Sequence, residues 1–393
     1  MSRYRLYPTA DQAMVMAEHC GHARYVWNLA AEQQSWWNPR RGPAPSYIEQ
    51  NRQLTEARRA FDWLATGSVI VQQQALRDFS TAMANFFRGT HRKPRFRKRG
   101  RGEGFRIVAV KPSDVRQINR RWSEVRIPEV GWVRFRRSRT VPDAKSYRIT
   151  VDRAGRWQVG FAAVPEPILA PGTGEVVGVD RGVAVSAALS TGDLLSCPGP
   201  RSPEQARLLR WQRRLARAQR GSVRRARIAR VKARGVGRRK DWVERTSTDL
   251  ARRFDVIRVE DLRVKNMTRS ARGTVEAPGR NVRQKAGLNR AILAAGWGQL
   301  VQRLEQKSPG QVEEIPAALT SRRCSACGHG AAGSRESQAR FRCVACGHTA
   351  NADVNAAMNI AAGRAVTARG GAGLPVPVNR EPQHSTPPLL VGV

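Results

Sequence analysis

Four cysteines and three carboxylates are the side chains of this sequence whose types and spacing can do chemistry. Cys324 and Cys327 form one C-x-x-C knuckle, Cys343 and Cys346 form a second, and 15 residues separate Cys327 from Cys343. That gap is the one expected of a zinc ribbon. Four thiolates close a tetrahedral site and leave no position for substrate, so the zinc expected here is structural. Asp353 follows in the run Asn351-Ala352-Asp353-Val354-Asn355-Ala356-Ala357, where an alanine-rich helix starts. The ribbon thus reads as a scaffold that places an acid.

Two further acids end apolar runs. Val176-Val177-Gly178-Val179-Asp180 and Asp255-Val256-Ile257-Arg258-Val259-Glu260 both read as buried strands closed by a carboxylate. The carboxyl ends of strands are where side chains converge outside an α/β sheet. Carboxylate oxygens are hard ligands that suit Mg²⁺ or Mn²⁺. Two such ions about 3.5–4 Å apart activate water and stabilise the leaving oxygen of a phosphodiester. Asp180, Glu260 and Asp353 are therefore the candidate ligands of a metal-dependent nuclease.

The elements that must position them fill a long, basic chain. Its 393 residues carry 70 Lys and Arg against 31 acids, a formal charge of +39 with a pI near 11.6. Length alone allows two or three domains. Self-repulsion of this size works against compactness, so the excess points to a polyanion, and counterion release makes nucleic acid the expected partner. No long apolar run or lipidation signal supports a membrane role. Cys20 and Cys197 stand alone, which is cysteine usage for a reducing compartment. With no signal peptide at Met1-Ser2-Arg3, a cytoplasmic protein is expected, nucleoid-associated when on DNA.

Helices are expected over residues 10–37 (with Met14, Ala17, Tyr25, Leu29 and Trp36 as its apolar positions), about 46–64, and Val69–Phe87. Tyr25, Trp27, Trp36 and Trp37 read as core aromatics. The run 92–101 holds seven cations and no acid, and Pro, Phe and Gly keep it from being helical. Arg95, Arg97 and Lys98 are its candidate phosphate contacts. From 105 to 165 short alternating runs separated by Gly and Pro predict a small β-barrel. Between 201 and 245, 17 Lys/Arg stand against 3 acids. Leu208, Trp211, Leu215 and Ala218 share one face, which suggests a basic helical hairpin turning near Gly221. Arg213, Arg217 and Arg224 are candidate nucleic-acid contacts there. Ala184–Leu189 is the expected hairpin partner of the Asp180 strand. Leu288–Lys307 is expected as one amphipathic helix on Ile292, Leu293, Trp297, Leu300 and Leu304, and 312–315 as a short strand.

The motif blocks resemble a family. Gly178-Val179-Asp180-Arg181-Gly182, Val259-Glu260-Asp261-Leu262 and Asn351–Ala357 are similar to the three RuvC motifs of TnpB proteins, transposon-encoded RNA-guided DNA endonucleases related to type V CRISPR effectors. Lys285–Arg290, Thr320–His329 and Arg335-Glu336-Ser337-Gln338 resemble the same family. More loosely, so do Tyr7-Pro8-Thr9 with Gln12 and Pro94-Arg95-Phe96. The likeness covers roughly residues 1–365. Arg322 and Arg323 depart from the polar pair often found before the first cysteine, and add charge near the expected nuclease centre.

The resemblance implies a multidomain α/β plus β-barrel protein. A wedge-type β-barrel (1–10 and 105–170) would carry a helical recognition insertion (11–104). An RNase H-like RuvC nuclease domain (171–318 and 349–366) would carry the zinc ribbon (319–348), followed by a disordered tail (367–393). It implies Mg²⁺ or Mn²⁺ on Asp180, Glu260 and Asp353, with Arg335 steadying the scissile phosphate or serving only as a ribbon surface residue. The implied partners are a guide RNA from the transposon end and double-stranded target DNA, with one monomer on one RNA. Sequence choice is then left to base pairing, while the protein reads a short flanking motif. Gln73, on the helix around Val71–Leu76, is the candidate reader, since glutamine pairs bidentately with adenine. The competing readings are a guided repressor that does not cut, a strand-joining transposase and a CRISPR-associated effector.

Overall fold

The computed structural model describes residues 2–38, 40, 42–217 and 223–363. Strand β1 (Ser2–Arg5) leads into α1 (Ala10–Trp36), whose N-terminus is closed by a capping box: Thr9 Oγ1 accepts from the Gln12 amide and Gln12 Oε1 from the Thr9 amide. Gln12 Nε2 also donates to the Trp132 carbonyl, 2.9 Å away, so the cap ties the helix to a strand. Then come α2 (Tyr47–Ala60), the one-turn α3 (Asp62–Ala65) and α4 (Val69–Phe87). The α4 bounds match the expected helix, while the second expected helix splits at Phe61.

The inward stripe of α1 differs from the one expected. It is Met16, His19, Cys20, Ala23, Val26 and Ala30, whereas Met14, Ala17, Tyr25 and Trp36 are exposed. Small residues win this face because α1 packs closely on α4 and on the sheet beneath. Trp27 is half-buried against that core.

The next strands are β2 (Gly104–Val108), β3 (Val115–Gln117), β4 (Trp122–Ile127), β5 (Gly131–Arg136), β6 (Ser146–Val151) and β7 (Trp157–Phe161). They form an antiparallel sheet β1-β7-β6-β2 and an antiparallel meander β3-β4-β5. The two sheets share a core that includes Val133, Phe135, Ile149, Val159 and Phe161. They are bridged at Leu6 and Phe135 and by the Tyr147 hydroxyl, which donates to the Arg126 carbonyl. Among the described residues they form no closed barrel, so the expected barrel is an open pair of sheets joined at one edge.

The second half is built on β8 (Val176–Asp180), β9 (Ala187–Leu189), β10 (Leu194–Leu195), a helical pair α5 (Ser202–Ala216) and α6 (Val223–Arg253), and β11 (Val256–Glu260). After the short α7 (Val264–Met267) come α8 (Val282–Ala295), α9 (Trp297–Lys307) and β12 (Val312–Ile315). The sheet order is β10-β9-β8-β11-β12, with β8, β11 and β12 parallel. The expected helix 288–307 is two helices broken at Gly296, whose φ of 79° is the left-handed conformation that glycine adopts without strain. Leu293, expected on its buried face, is exposed. Two short strands, β13 (Arg340–Arg342) and β14 (Thr349–Asn351), pair in the cysteine region, and α10 (Ala352–Ala361) follows directly. Gly221, the expected turn of the basic hairpin, and the tail after Gly363 lie outside the described residues. No described helix is long and apolar enough to cross a membrane.

Candidate active site

Parallel pairing places two of the acids side by side. β8 and β11 run in register up to Val179 opposite Val259, and Asp180 and Glu260 are the next residue of each strand. Apolar Val177, Val179, Ile257 and Val259 are fully buried below them, which is why the chain forms strands here and why the carboxyls emerge at the carboxyl ends of two central strands. The third acid comes from α10. Asn351 caps that helix by accepting from the Asp353 and Val354 amides, at 3.0 and 3.2 Å, which fixes Asp353 in the first turn.

The three carboxylates feel one another. Burial first, then the charges of Glu260 and Asp353, push the Asp180 carboxyl well above the usual carboxylate range, against the pull of Arg335. Burial likewise raises Glu260, opposed by the Thr320 hydroxyl and the Arg181 guanidinium. Such crowding of like charge in a desolvated site is relieved by a cation. The all-oxygen donor set fits a hard divalent ion, and the three acids are the residues that would hold it.

Arg335 joins the group. Its guanidinium donates to Asp353 Oδ1 at 3.1 Å and to the Gln338 carbonyl at 3.0 Å. It is therefore part of the acidic site rather than a free ribbon surface residue.

Several positioning groups went unassigned in the sequence. The buried Arg181 donates to the Glu260 carbonyl, and Thr320 Oγ1 donates to Glu260 Oε1 at 2.8 Å. Trp297 Nε1 donates to the Gly182 carbonyl at 3.1 Å, pinning the turn after β8. Asn355 and Asn359, both buried, bind the Arg323 carbonyl at 2.7 and 2.8 Å, and Asn359 also binds that of Thr320 at 3.0 Å. Their i, i+4 spacing, which puts both on one helix face, was the available signal.

The cysteines converge as expected. The sulfurs of Cys324, Cys327, Cys343 and Cys346 lie within 4.8 Å of one another, with Cys324–Cys346 at 3.7 Å and Cys327–Cys343 at 3.6 Å. A tetrahedral site with Zn–S bonds of about 2.3 Å has edges of roughly 3.8 Å. The pairs are far too long for disulfides. Amides of the second knuckle, first that of Cys346 and then that of Ala345, hold the Cys343 thiol down to about 6. These four residues fit zinc.

The nucleic-acid candidates fare unevenly. Gln72 is buried against Arg58 and the Leu64 carbonyl and Gln74 against Arg106, whereas Gln73 lines an open cleft of about 310 Å³ beside Arg58 and Arg59. Arg95 and Lys98 are exposed. Arg97 is engaged: its guanidinium lies 3.6 Å over the Trp27 ring, its amide and carbonyl both bind Asn28, and burial lowers its pKa to about 10. It straps the basic loop to α1. Arg213 and Arg217 are exposed, while the Arg224 side chain falls outside the described residues.

Three family profiles match this chain: "Helix-turn-helix domain" at residues 2–42, "Probable transposase" at 162–271 and "Cas12f1-like, TNB domain" at 297–360. The chain is 37% identical over 384 residues to "Putative RNA-guided DNA endonuclease InsQ" of Escherichia coli K12, covering 94% of this chain and 93% of that protein. A second relative, "Putative RNA-guided DNA endonuclease" of Streptomyces pristinaespiralis, is 31% identical and covers 98% of this chain and 96% of its own length. Among solved structures, the Cas12f1 chain of a Cas12f1–sgRNA–target DNA complex aligns over 90% of this chain and 83% of its own, with a TM-score of 0.55 and 12% identity, a likeness of fold. Identity of 37% sustained over 94% of the chain, together with the matching transposase and helix-turn-helix profiles, means that the protein belongs to the TnpB family.

Proposed function

We propose that this protein is a transposon-encoded, RNA-guided DNA endonuclease that hydrolyses phosphodiesters with divalent metal ions. The observation that carries the reading is that Asp180, Glu260 and Asp353, from two parallel strands and one helix, lie near enough for the charges of Glu260 and Asp353 to act on Asp180, in a chain whose relatives, aligned over more than 90% of its length, are named putative RNA-guided DNA endonucleases. Its partners would be a guide RNA and double-stranded DNA, both gripped by the excess of positive charge. The zinc ribbon, held by Cys324, Cys327, Cys343 and Cys346, would be structural, and the wedge, recognition and nuclease divisions would follow the boundaries expected from the sequence.

In this reading Asp180, Glu260 and Asp353 hold Mg²⁺ or Mn²⁺, which supplies an activated water and positive charge at the scissile phosphate. The chain's own part is orientation. Thr320 and Arg181 fix Glu260, Asn351 fixes the turn bearing Asp353, and Arg335 sets the Asp353 rotamer while leaving further N–H donors for a phosphate oxygen. Desolvation of Asp180 and Glu260 strengthens each of these interactions.

The test is to purify the protein with the RNA from its native locus and sequence that RNA. The complex then meets a plasmid library with the matching target and randomised flanks, with Mg²⁺ present. Cleavage restricted to matched targets beside one flanking motif is the expected result. Discrete RNA with DNA bound but intact would mean a guided repressor, and absence of any discrete RNA would overturn the reading.

A further inference from the structure

Between α5 and α6 lies an open cleft of about 370 Å³ whose lining is almost entirely arginine. Arg207, Arg210 and Arg214 recur on α5 at three- and four-residue spacing, so they share a face. Arg227, Arg230 and Arg234 do the same on α6. Trp211 sits among them, with the Arg227 guanidinium 4.9 Å and that of Arg214 5.6 Å from its ring centroid.

We infer that this cleft is a binding site for the phosphodiester backbone of a nucleic-acid strand. The inference rests on the guided-nuclease reading and adds a site to it.

The argument turns on what the guanidiniums are doing. A buttressing arginine spends its N–H donors on a carboxylate. Arg238, one turn beyond the cleft on the same helix, does so: it donates to both Glu204 oxygens and to the Gly199 carbonyl. None of the six cleft arginines is in an ion pair among the described residues. Trp211 attracts Arg214 and Arg227 by its ring face, which orients a guanidinium without consuming its in-plane donors. Among the described residues the donors are left free, in the fork geometry that suits phosphate oxygens. Six like charges around one cavity repel one another, so an anion stabilises the arrangement.

The size narrows the occupant. The cleft is at the lower end of the range for small-ligand sites, so it takes a phosphate or two of whichever backbone lies across it. The shared chemistry is a phosphodiester, supplied by the guide RNA or by target DNA.

The experiment compares the full chain with R207Q/R214Q/R230Q and with a charge-matched control, R52Q/R245Q/R253Q, whose arginines pair with acids elsewhere. Binding of the guide RNA alone, and of target DNA by the RNA-loaded protein, is measured across a salt series. Each phosphate contact contributes roughly 0.7–0.9 to the slope of log K against log salt, so losing three lowers the slope by about 2–3. A fall of that size for RNA assigns the cleft to the guide, and a fall for DNA alone assigns it to the target. W211F, which keeps an aromatic ring at that position, should weaken the same ligand by a smaller factor. If slopes for both ligands equal those of the control, the cleft is not a backbone site, while the wild-type protein still binds and cuts. If the wild type binds neither nucleic acid, it is the guided-nuclease reading that has failed.

Discussion

Gly178 and Ala357 touch so closely that a Cβ built on the glycine would lie 2.0 Å from the Ala357 carbonyl oxygen, and 2.4 Å from the Ala361 amide nitrogen. Helix α10 thus lies directly on strand β8, two residues before Asp180. The requirement is one of space and not of conformation, since the glycine has no positive φ.

Gly178→Ala should therefore push α10, and Asp353 with it, away from Asp180. Backbone atoms oppose the new methyl, so no side chain can swing aside. Overpacking of this kind costs about 1–3 kcal/mol. Thermal melting should fall accordingly, and cleavage should fall further than the lost fraction of folded protein explains. A variant with lowered melting but unchanged cleavage per folded molecule would separate helix docking from catalysis.

Asp180→Ala is expected to reduce cleavage at least a hundredfold while leaving RNA and DNA affinity within a few-fold. Under the proposed function, removing one ligand would destroy the ion site, whereas the basic surface proposed to grip backbones is untouched. Arg335→Gln should act differently. It removes the 3.1 Å partner of Asp353 and a donor aimed at the site, so cleavage should drop by roughly 10²–10³ as for other lost charge-stabilising donors. Arg335→Lys should recover only part of this, because an ammonium can stand in for the one guanidinium nitrogen that serves Asp353 and the Gln338 carbonyl but not for the remaining donors of the planar fork. Single-turnover cleavage with binding measured in parallel distinguishes the two variants. Retained cutting by Asp180→Ala would sink the site assignment.

Zinc removal should reach the acidic site through asparagines. Asn355 and Asn359 hold the Arg323 and Thr320 carbonyls, and Thr320 in turn holds Glu260. Metal binding energy in such a ribbon is folding energy. A strong chelator should therefore release one equivalent of zinc, unfold the segment around Cys324–Cys346 and abolish cleavage, with RNA affinity largely kept. Asn359→Ala should mimic part of this with zinc still bound, costing about 1–3 kcal/mol, chiefly because the Thr320 carbonyl loses its donor while that of Arg323 keeps Asn355. Zinc content and melting measured on the same sample check both statements.

What was legible in the sequence is what short-range chemistry fixes. The knuckle spacing, the strands ending in Asp180 and Glu260, and α4 all follow from patterns within a few residues. The face of α1 was misread because apolar size was taken as the guide, whereas close helix packing selected Ala23, Ala30 and Cys20 and left Trp36 outside. The break at Gly296 was missed because the apolar pattern runs through it, although a helical stretch with an interior glycine is already weakened. The strap that Arg97 forms was not legible either, because only the fold brings Trp27 beneath its guanidinium. Arg181 and Thr320 reach Glu260 across 79 and 60 residues, which no local pattern reports, and the i, i+4 spacing of Asn355 and Asn359 marks a shared face but not the distant carbonyls they hold.

The basic helical pair should carry its own pH dependence. The Glu204 carboxylate is held down to about 2, first by its hydrogen bonds from Arg238 and then by the Arg201 amide. A group whose pKa is depressed on folding stabilises fully above its unfolded value, near 4.5, and loses that contribution as pH falls toward 2. The Arg238 contact joins α6 to the first turn of α5, so acid should loosen α5 while the cysteine and sheet regions respond to their own groups. Trp211 on α5 reports the event, and the difference in fluorescence between wild type and W211F isolates it from the other nine tryptophans. The difference signal should change between pH 4.5 and 2 in the wild type. In Glu204→Gln it should be flat across that window and already shifted toward the acid form at neutral pH. An unchanged acid transition in Glu204→Gln would assign the loosening to another carboxylate.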